Sequence, residues 1–371
     1  VFHGRVARWL EAHAGERIDE YLGLIAQHFA QAGEPDRAAD YFQRAGEAAL
    51  RASTWREARA AFERALALRQ ESGAPPVASL PHLLGLGQAC SRLSDHATAE
   101  AAVQRALALA RESDNLEAQA ESLLWLGRTA DATGRAPEAA RYLEEALPLA
   151  RAVGGPSLVR ALNTLASHRW QNNALEAAEE YAEEARQLSL ALGDVSQEIA
   201  ALRSLGVVAG MRKEFDRSIR YLKECIALAR QIGDRYQEYL NETNLGVTQH
   251  YAGDYAEAVA HYRRSLAFSL ELGMLDRAAT DAHNLADVHN TLGQLDEARR
   301  YAVQCLRLAR QAGALPLQLA GLVTLAETLA RSGQGERALT LLGPVRQHPS
   351  TPPHKQVGIQ EVLDMVVLEP A

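Results

Sequence analysis

Large apolar residues recur along the chain at the spacing of one helical face, as in Leu285, Val288 and Leu292, or Leu266 and Leu270. Between them runs a second pattern, of small residues. The small residue that follows a Leu is Gly87, Gly127, Ala166, Gly206, Gly246, Ala286 and Ala326, at steps of 40, 39, 40, 40, 40 and 40. Seven residues later stands a turn residue: Ser94, Gly134, Asn173, Lys213, Gly253, Gly293 or Gly333. Five further on comes Ala99, Ala139, Ala178, Ser218, Ala258, Ala298 or Ala338, and after seven more Ala106, Ala146, Ala185, Cys225, Ser265 or Cys305, with Val345 in the last unit. Chance does not hold four spacings in register over seven units, so the chain is an internal repeat.

The pattern has a direct physical meaning. Two helices approach closely only where their side chains are small, so each unit is expected to be an antiparallel hairpin whose first helix meets two small positions of the second. The turn residue stops the first helix. Gly154, Gly193, Gly233, Gly273 and Gly313 end the second, because glycine takes up the left-handed conformation of a helix C-terminus. Asp194 and Asp234 follow two of them and are expected to cap the next helix. Residues 1–76 are less regular. Ala26, Gly33, Ala38 and Ala45 keep the spacing, and so do Gly46, Ser53, Ala58 and Ala65, offset by only 20, so one helix there serves two pairs. Residues 77–343 hold the seven regular repeats. In residues 344–371, Pro344 and the run His348–Pro353 break the helices, and for Lys355 to Leu368 two expectations stand, a short closing helix over the last apolar face or a frayed tail.

Composition narrows the chemistry. Ala, Leu, Arg and Glu dominate, only 6% of residues are aromatic, and β-branched residues are sparse, which disfavours a sheet. A net charge of -8 speaks against a nucleic-acid backbone as partner. The 3 cysteines, Cys90, Cys225 and Cys305, form neither a disulfide framework nor a zinc spacing, and two of them occupy the small-residue packing position. No apolar run approaches the length of a membrane span, and the N-terminus lacks a signal peptide, so a cytoplasmic location is expected. The start at Val1 suggests a piece of a longer protein. Neither GxxxxGK[ST] nor GxSxG occurs. Carboxylate pairs such as Glu179-Glu180 sit among Arg and Lys on expected outer faces, and His283 and His289 lie six apart on one helix, off the spacing of metal ligands. Neither catalysis, a metal nor a cofactor is expected.

The fragments Asn244-Leu245-Gly246 and Tyr251-Ala252-Gly253-Asp254-Tyr255-Ala256-Glu257-Ala258 resemble the tetratricopeptide repeat, over roughly residues 18–343. The resemblance implies an all-α, right-handed superhelical solenoid of antiparallel helix pairs. The period of 40 exceeds the family's roughly 34, and the early tryptophan is replaced by residues such as Leu162, Leu202 and Leu322. In this family the first helices line a concave face. Counted from the small reference residue, that face carries Trp125, Arg128, Asn163, Trp170, Arg203, Asn244, His250, Tyr251, His283, Asn284, Asp287 and Asn290. Such a ladder of Asn, His, Arg and aromatic side chains suits a peptide or protein segment. The carboxylate clamp of co-chaperone members is not reproduced, because Val207, Thr280 and Asn284 stand where its Asn, Lys and Arg belong.

The opening stretch, Phe2 to Glu11 and Glu20 to Phe29, resembles the junction after the ATPase core of bacterial signal-transduction ATPases with numerous domains (STAND) and of large LuxR-type regulators. That resemblance implies a sensor array regulating a fused upstream ATPase or effector. The competing expectation is a constitutive scaffold for a multiprotein complex.

Overall fold

The computed structural model describes residues 2–346 and 355–368. Every regular element among them is helical, in sequential antiparallel pairs. The helices are α1 (Phe2–His13), α2 (Ile18–Gln31), α3 (Pro35–Arg51), α4 (Trp55–Glu71), α5 (Leu80–Arg92), α6 (His96–Glu112), α7 (Leu116–Ala132), α8 (Ala136–Val153), α9 (Gly155–Gln171), α10 (Leu175–Leu192), α11 (Val195–Met211), α12 (Phe215–Gln231), α13 (Arg235–Ala252), α14 (Tyr255–Glu271), α15 (Leu275–Thr291), α16 (Leu295–Gln311), α17 (Leu315–Arg331), α18 (Gly335–Arg346) and α19 (Lys355–Leu368). They form two compact units. The first runs to Val208 and includes Gln231–Arg235; the second holds Ala209–Arg230 and everything from Tyr236 onward.

One left-handed residue closes each hairpin: Ser94, Gly134, Asn173, Lys213, Gly253, Gly293 and Gly333 have φ of 60, 77, 60, 62, 89, 68 and 72°. These are the turn residues of the repeat. The reversal lets the amide after the turn bond back to the helix just ended, as from Asp95 N to Cys90 O (2.9 Å) and from Gln294 N to His289 O (2.9 Å). Entry to the next helix is capped where the side chain permits. Asp95, Asn115 and Asp194 accept from the amides of Thr98, Ala118 and Gln197 at 3.2, 3.0 and 3.0 Å.

The small positions meet across the hairpin. A Cβ on Gly87 would lie 2.3 Å from Val103, one on Gly127 2.6 Å from Leu143, and one on Gly246 2.9 Å from Tyr262. Ala99, Ala106, Ala139, Ala146, Cys225 and Cys305 are fully buried. Near the N-terminus α3 packs on both α2 and α4. A single ring holds the turn of the stack there: Phe62 of α4 fills the space left by both Gly46 and Gly85.

At the other end α19 lies on α17 and α18, with Ile359 and Val362 in one core with Leu319, Val323, Leu342 and Val345. Pro344 does not end its helix: it sits inside the last turn of α18, which continues to Arg346. The run His348–Pro353 lies outside the described residues.

Candidate functional site

The residues singled out in the sequence lie on the first helices of the pairs. In the first unit these are α7, α9 and α11. Trp125 of α7 is buried, and the exposed Arg128 lays its guanidinium 4.3 Å above the indole ring. Stacking fixes the charge in one orientation at low entropic cost. Asn163 of α9 is buried too. Its Nδ2 donates to the backbone oxygen and to Oε1 of Gln197 on α11, each at 3.0 Å, and its Oδ1 has no protein partner. Trp170 and Arg203 are half-buried.

In the second unit the first helices are α13, α15 and α17. Tyr251 is 74% exposed, and it stacks on His250 with ring centroids 5.6 Å apart. Tyr255 meets the same imidazole edge-on at 5.7 Å. Burial pushes the pKa of His250 below the ordinary histidine value, against the opposing pull of Asp287. Asn244, Asn284 and Asp287 are half-buried. His283 and Asn290 are buried and join α15 to α17. Thr324 Oγ1 lies 3.1 Å from His283 Nδ1, Asn290 Nδ2 donates to Thr324 O (3.3 Å), and Thr328 donates to Asn290 Oδ1 (2.9 Å).

The twelve residues therefore divide by role. Trp125, Asn163, His283 and Asn290 are packed between neighbouring helices. Arg128 and Tyr251 stand open, and Trp170, Arg203, Asn244, His250, Asn284 and Asp287 are half-buried between them.

Several polar groups were not apparent from the repeat pattern. His168 Nδ1 donates to Asp131 Oδ1 across α7 and α9 at 2.9 Å. Glu327 of α17 occupies the same register as Asp287, pairs with Arg331 at 2.9 Å, and has a raised pKa from burial. Glu242 of α13 is buried against His261 and Arg264 of α14; those bonds hold its pKa low although burial alone would raise it. Asp281 of α15 is buried among hydroxyls. Asp131 stands in the register of Trp170 and His250, and Glu327 extends that of Asp287 by one unit. No group of three or more His, Cys, Asp and Glu among the described residues is placed to hold a metal. All three cysteines are buried, and burial raises the Cys90 thiol to about 11, which keeps it protonated and inert. No helix among the described residues is long and apolar enough to cross a membrane.

A family model described as tetratricopeptide repeat matches residues 77–152, 197–271 and 238–311, together just over half of the chain. No protein with a curated description matches it. Among solved structures, one similar in fold is a signal-transduction ATPase with numerous domains carrying a tetratricopeptide repeat sensor, from Pyrococcus horikoshii. It is 16% identical at a TM-score of 0.57, with 96% of this chain and 57% of that one covered. The present chain thus spans little more than half the length of that protein. A second is the Rap conjugation gene regulator of the plasmid pLS20 in complex with the Phr* peptide, at 17% identity and a TM-score of 0.64 over 77% of this chain and 78% of that one. A third is the apo form of the quorum sensor NprR from B. thuringiensis, at 15% and 0.58 over 83% and 86%. At these identities the likeness is one of fold.

Proposed function

From the premise that this chain belongs to the tetratricopeptide repeat family, we propose that it is a non-catalytic binding module that takes a peptide or protein segment along its first helices. Its place would be the sensor part of a larger signalling ATPase or regulator. The observation that carries this reading is the pairing of open and fixed groups on those helices. Tyr251 is exposed and stacked on His250, and Arg128 is exposed and stacked on Trp125. Rigid aromatic and guanidinium groups bind with little loss of side-chain entropy, which is why such residues anchor interfaces. The relative whose description names a peptide complex supports a peptide as the class of ligand, and the ATPase with a repeat sensor supports the sensing role.

The test is selection of binders from a displayed library of short peptides, followed by calorimetry of the best binder. The pairs Trp170→Ala with Arg203→Ala, and His250→Ala with Tyr251→Ala, are then measured separately. One pair is expected to weaken binding by 10-fold or more, about 1.4 kcal/mol. If the selection yields no binder, or if neither pair changes its affinity while the circular dichroism is unaltered, the proposal is wrong.

A further inference from the structure

The position five residues before each small reference residue is His82, Ser122, Ala161, Ala201, Asn241, Asp281 and Gly321, and every one of these is buried. This is the face of the first helix that meets the preceding hairpin. Six units fill it with a small, neutral or weakly basic group. The seventh places a carboxyl there.

Asp281 has no accessible surface. Its Oδ2 accepts from Ser269 of α14 at 3.0 Å, and its Oδ1 faces Thr243 of α13 at 3.4 Å. Thr243 is shared with Ser265 of α14 at 2.7 Å. The phenol of Tyr239, one turn earlier on α13, completes the set and is itself sealed by the ring of Phe268, centroids 5.6 Å apart. Among the described residues, no Lys, Arg or His nitrogen forms an ion pair with this carboxyl. Three groups that bear on its charge complete the picture. Tyr239 from α13 and Tyr262 from α14 are buried phenols whose pKa values are raised, so both stay neutral. Arg277, one turn back on α15, attracts it electrostatically, but the Arg277 side chain is 52% exposed and screened by water. A buried carboxylate without a cation is costly, whereas a buried carboxylic acid among hydroxyls is not.

We propose that Asp281 makes the α13–α15 segment a proton-responsive element, locked while the carboxyl is protonated and loosened when it ionises. Burial pushes this carboxyl up to about 7, well above the ordinary 3.8. The folded value exceeds the unfolded one. The stabilisation is therefore fully present below about pH 4 and is lost as pH rises through about 7. Two of the three helices, α13 and α15, carry the candidate ligand residues Asn244, His250, Asn284 and Asp287, so a ligand and a proton would act on the same element. The inference stands without that reading of the ligand face.

Two measurements test it on the whole chain. Carbon-13 NMR of the aspartate carboxyls is expected to show one titrating near pH 7 that is missing from Asp281→Asn. Hydrogen exchange, corrected for its intrinsic pH dependence, is expected to show amides of α13–α15 losing protection about tenfold or more between pH 6 and pH 8 in the parent chain. In Asp281→Asn the change should be under about twofold. His250, His261, His283 and His289 lie on the same helices, so only the difference between the two proteins counts. A midpoint for Asp281 near 4, or equal pH dependence in both proteins, overturns the proposal; should Asp281→Asn not fold, the parent's carboxyl titration decides alone.

Discussion

At the scale of single residues, the fold rests on size matching across each hairpin. Where the reference residue is glycine, the residue sixteen later is large: Val103, Leu143, Leu222 and Tyr262. Where it is alanine, that later residue is Ala182, Ala302 or, after Ala326, Leu342. The pairing of smallest with large therefore holds at the glycine units, where a ring or branched side chain fills the space the glycine leaves. Gly127→Ala is therefore expected to cost about 1–3 kcal/mol, since the new methyl would lie 2.6 Å from Leu143. Leu143→Ala should cost about 2–5 kcal/mol. The double variant should cost less than their sum by about 1 kcal/mol or more, as read from urea unfolding, because the added methyl refills the space. Additive losses would show that the two sites do not share one packing position. The small residues were legible in the sequence because they recur. Their large partners were not, because Val, Leu and Tyr in a helix look like any apolar core. Asp281 was hidden for the opposite reason: an isolated Asp in a helix reads as solvent-facing until the aligned column shows only buried neighbours.

At the scale of elements, the chain spends its special residues at the helix ends. Ser94, Asn173 and Lys213 take up the left-handed conformation that glycine holds in the sister turns. An L-residue there carries about 1–2 kcal/mol of strain, and Lys has no local bond that offsets it. Lys213→Gly is expected to stabilise the protein by about 0.5–1 kcal/mol after glycine's greater chain entropy is subtracted. A lower melting temperature would contradict this. The caps give a pH-dependent counterpart. The Asp95 carboxyl is held below its ordinary pKa despite burial, by its bonds to Thr98 and the charge of Arg59. Its folded value lies below its unfolded one, so the cap's contribution is present above about pH 4 and is lost as pH falls through the folded value. Asp95→Ala should cost about 1 kcal/mol at pH 7 and markedly less at pH 3, by denaturant titration at the two pH values. An equal cost at both would mean packing, not charge, is lost. Of the caps, Asp194 stood out in the sequence because it follows a helix-ending glycine. Asp95 and Asn115 follow non-glycine turns at Ser94 and Asp114, where that cue is missing. Pro344 misled because a helix can absorb an interior proline, as α8 also does at Pro148.

At the scale of the whole molecule, each unit is a stack in which a helix touches little beyond its neighbours in the chain, so stability is built pair by pair. The ladder residues of the first helices are in part open and in part joints between neighbouring helices. Which are which was not legible in the sequence, because exposure depends on neighbours 34 to 41 residues away, such as Gln197 for Asn163 and Thr324 for His283. The most direct measurement is photo-cross-linking with a selected peptide carrying a light-activated group, adducts being mapped by mass spectrometry. Adducts on α7, α9 and α11, or on α13, α15 and α17, around Arg128, Trp170, His250 and Tyr251 are the predicted outcome. Adducts confined to the outer faces of the second helices, such as α10 or α16, would contradict it.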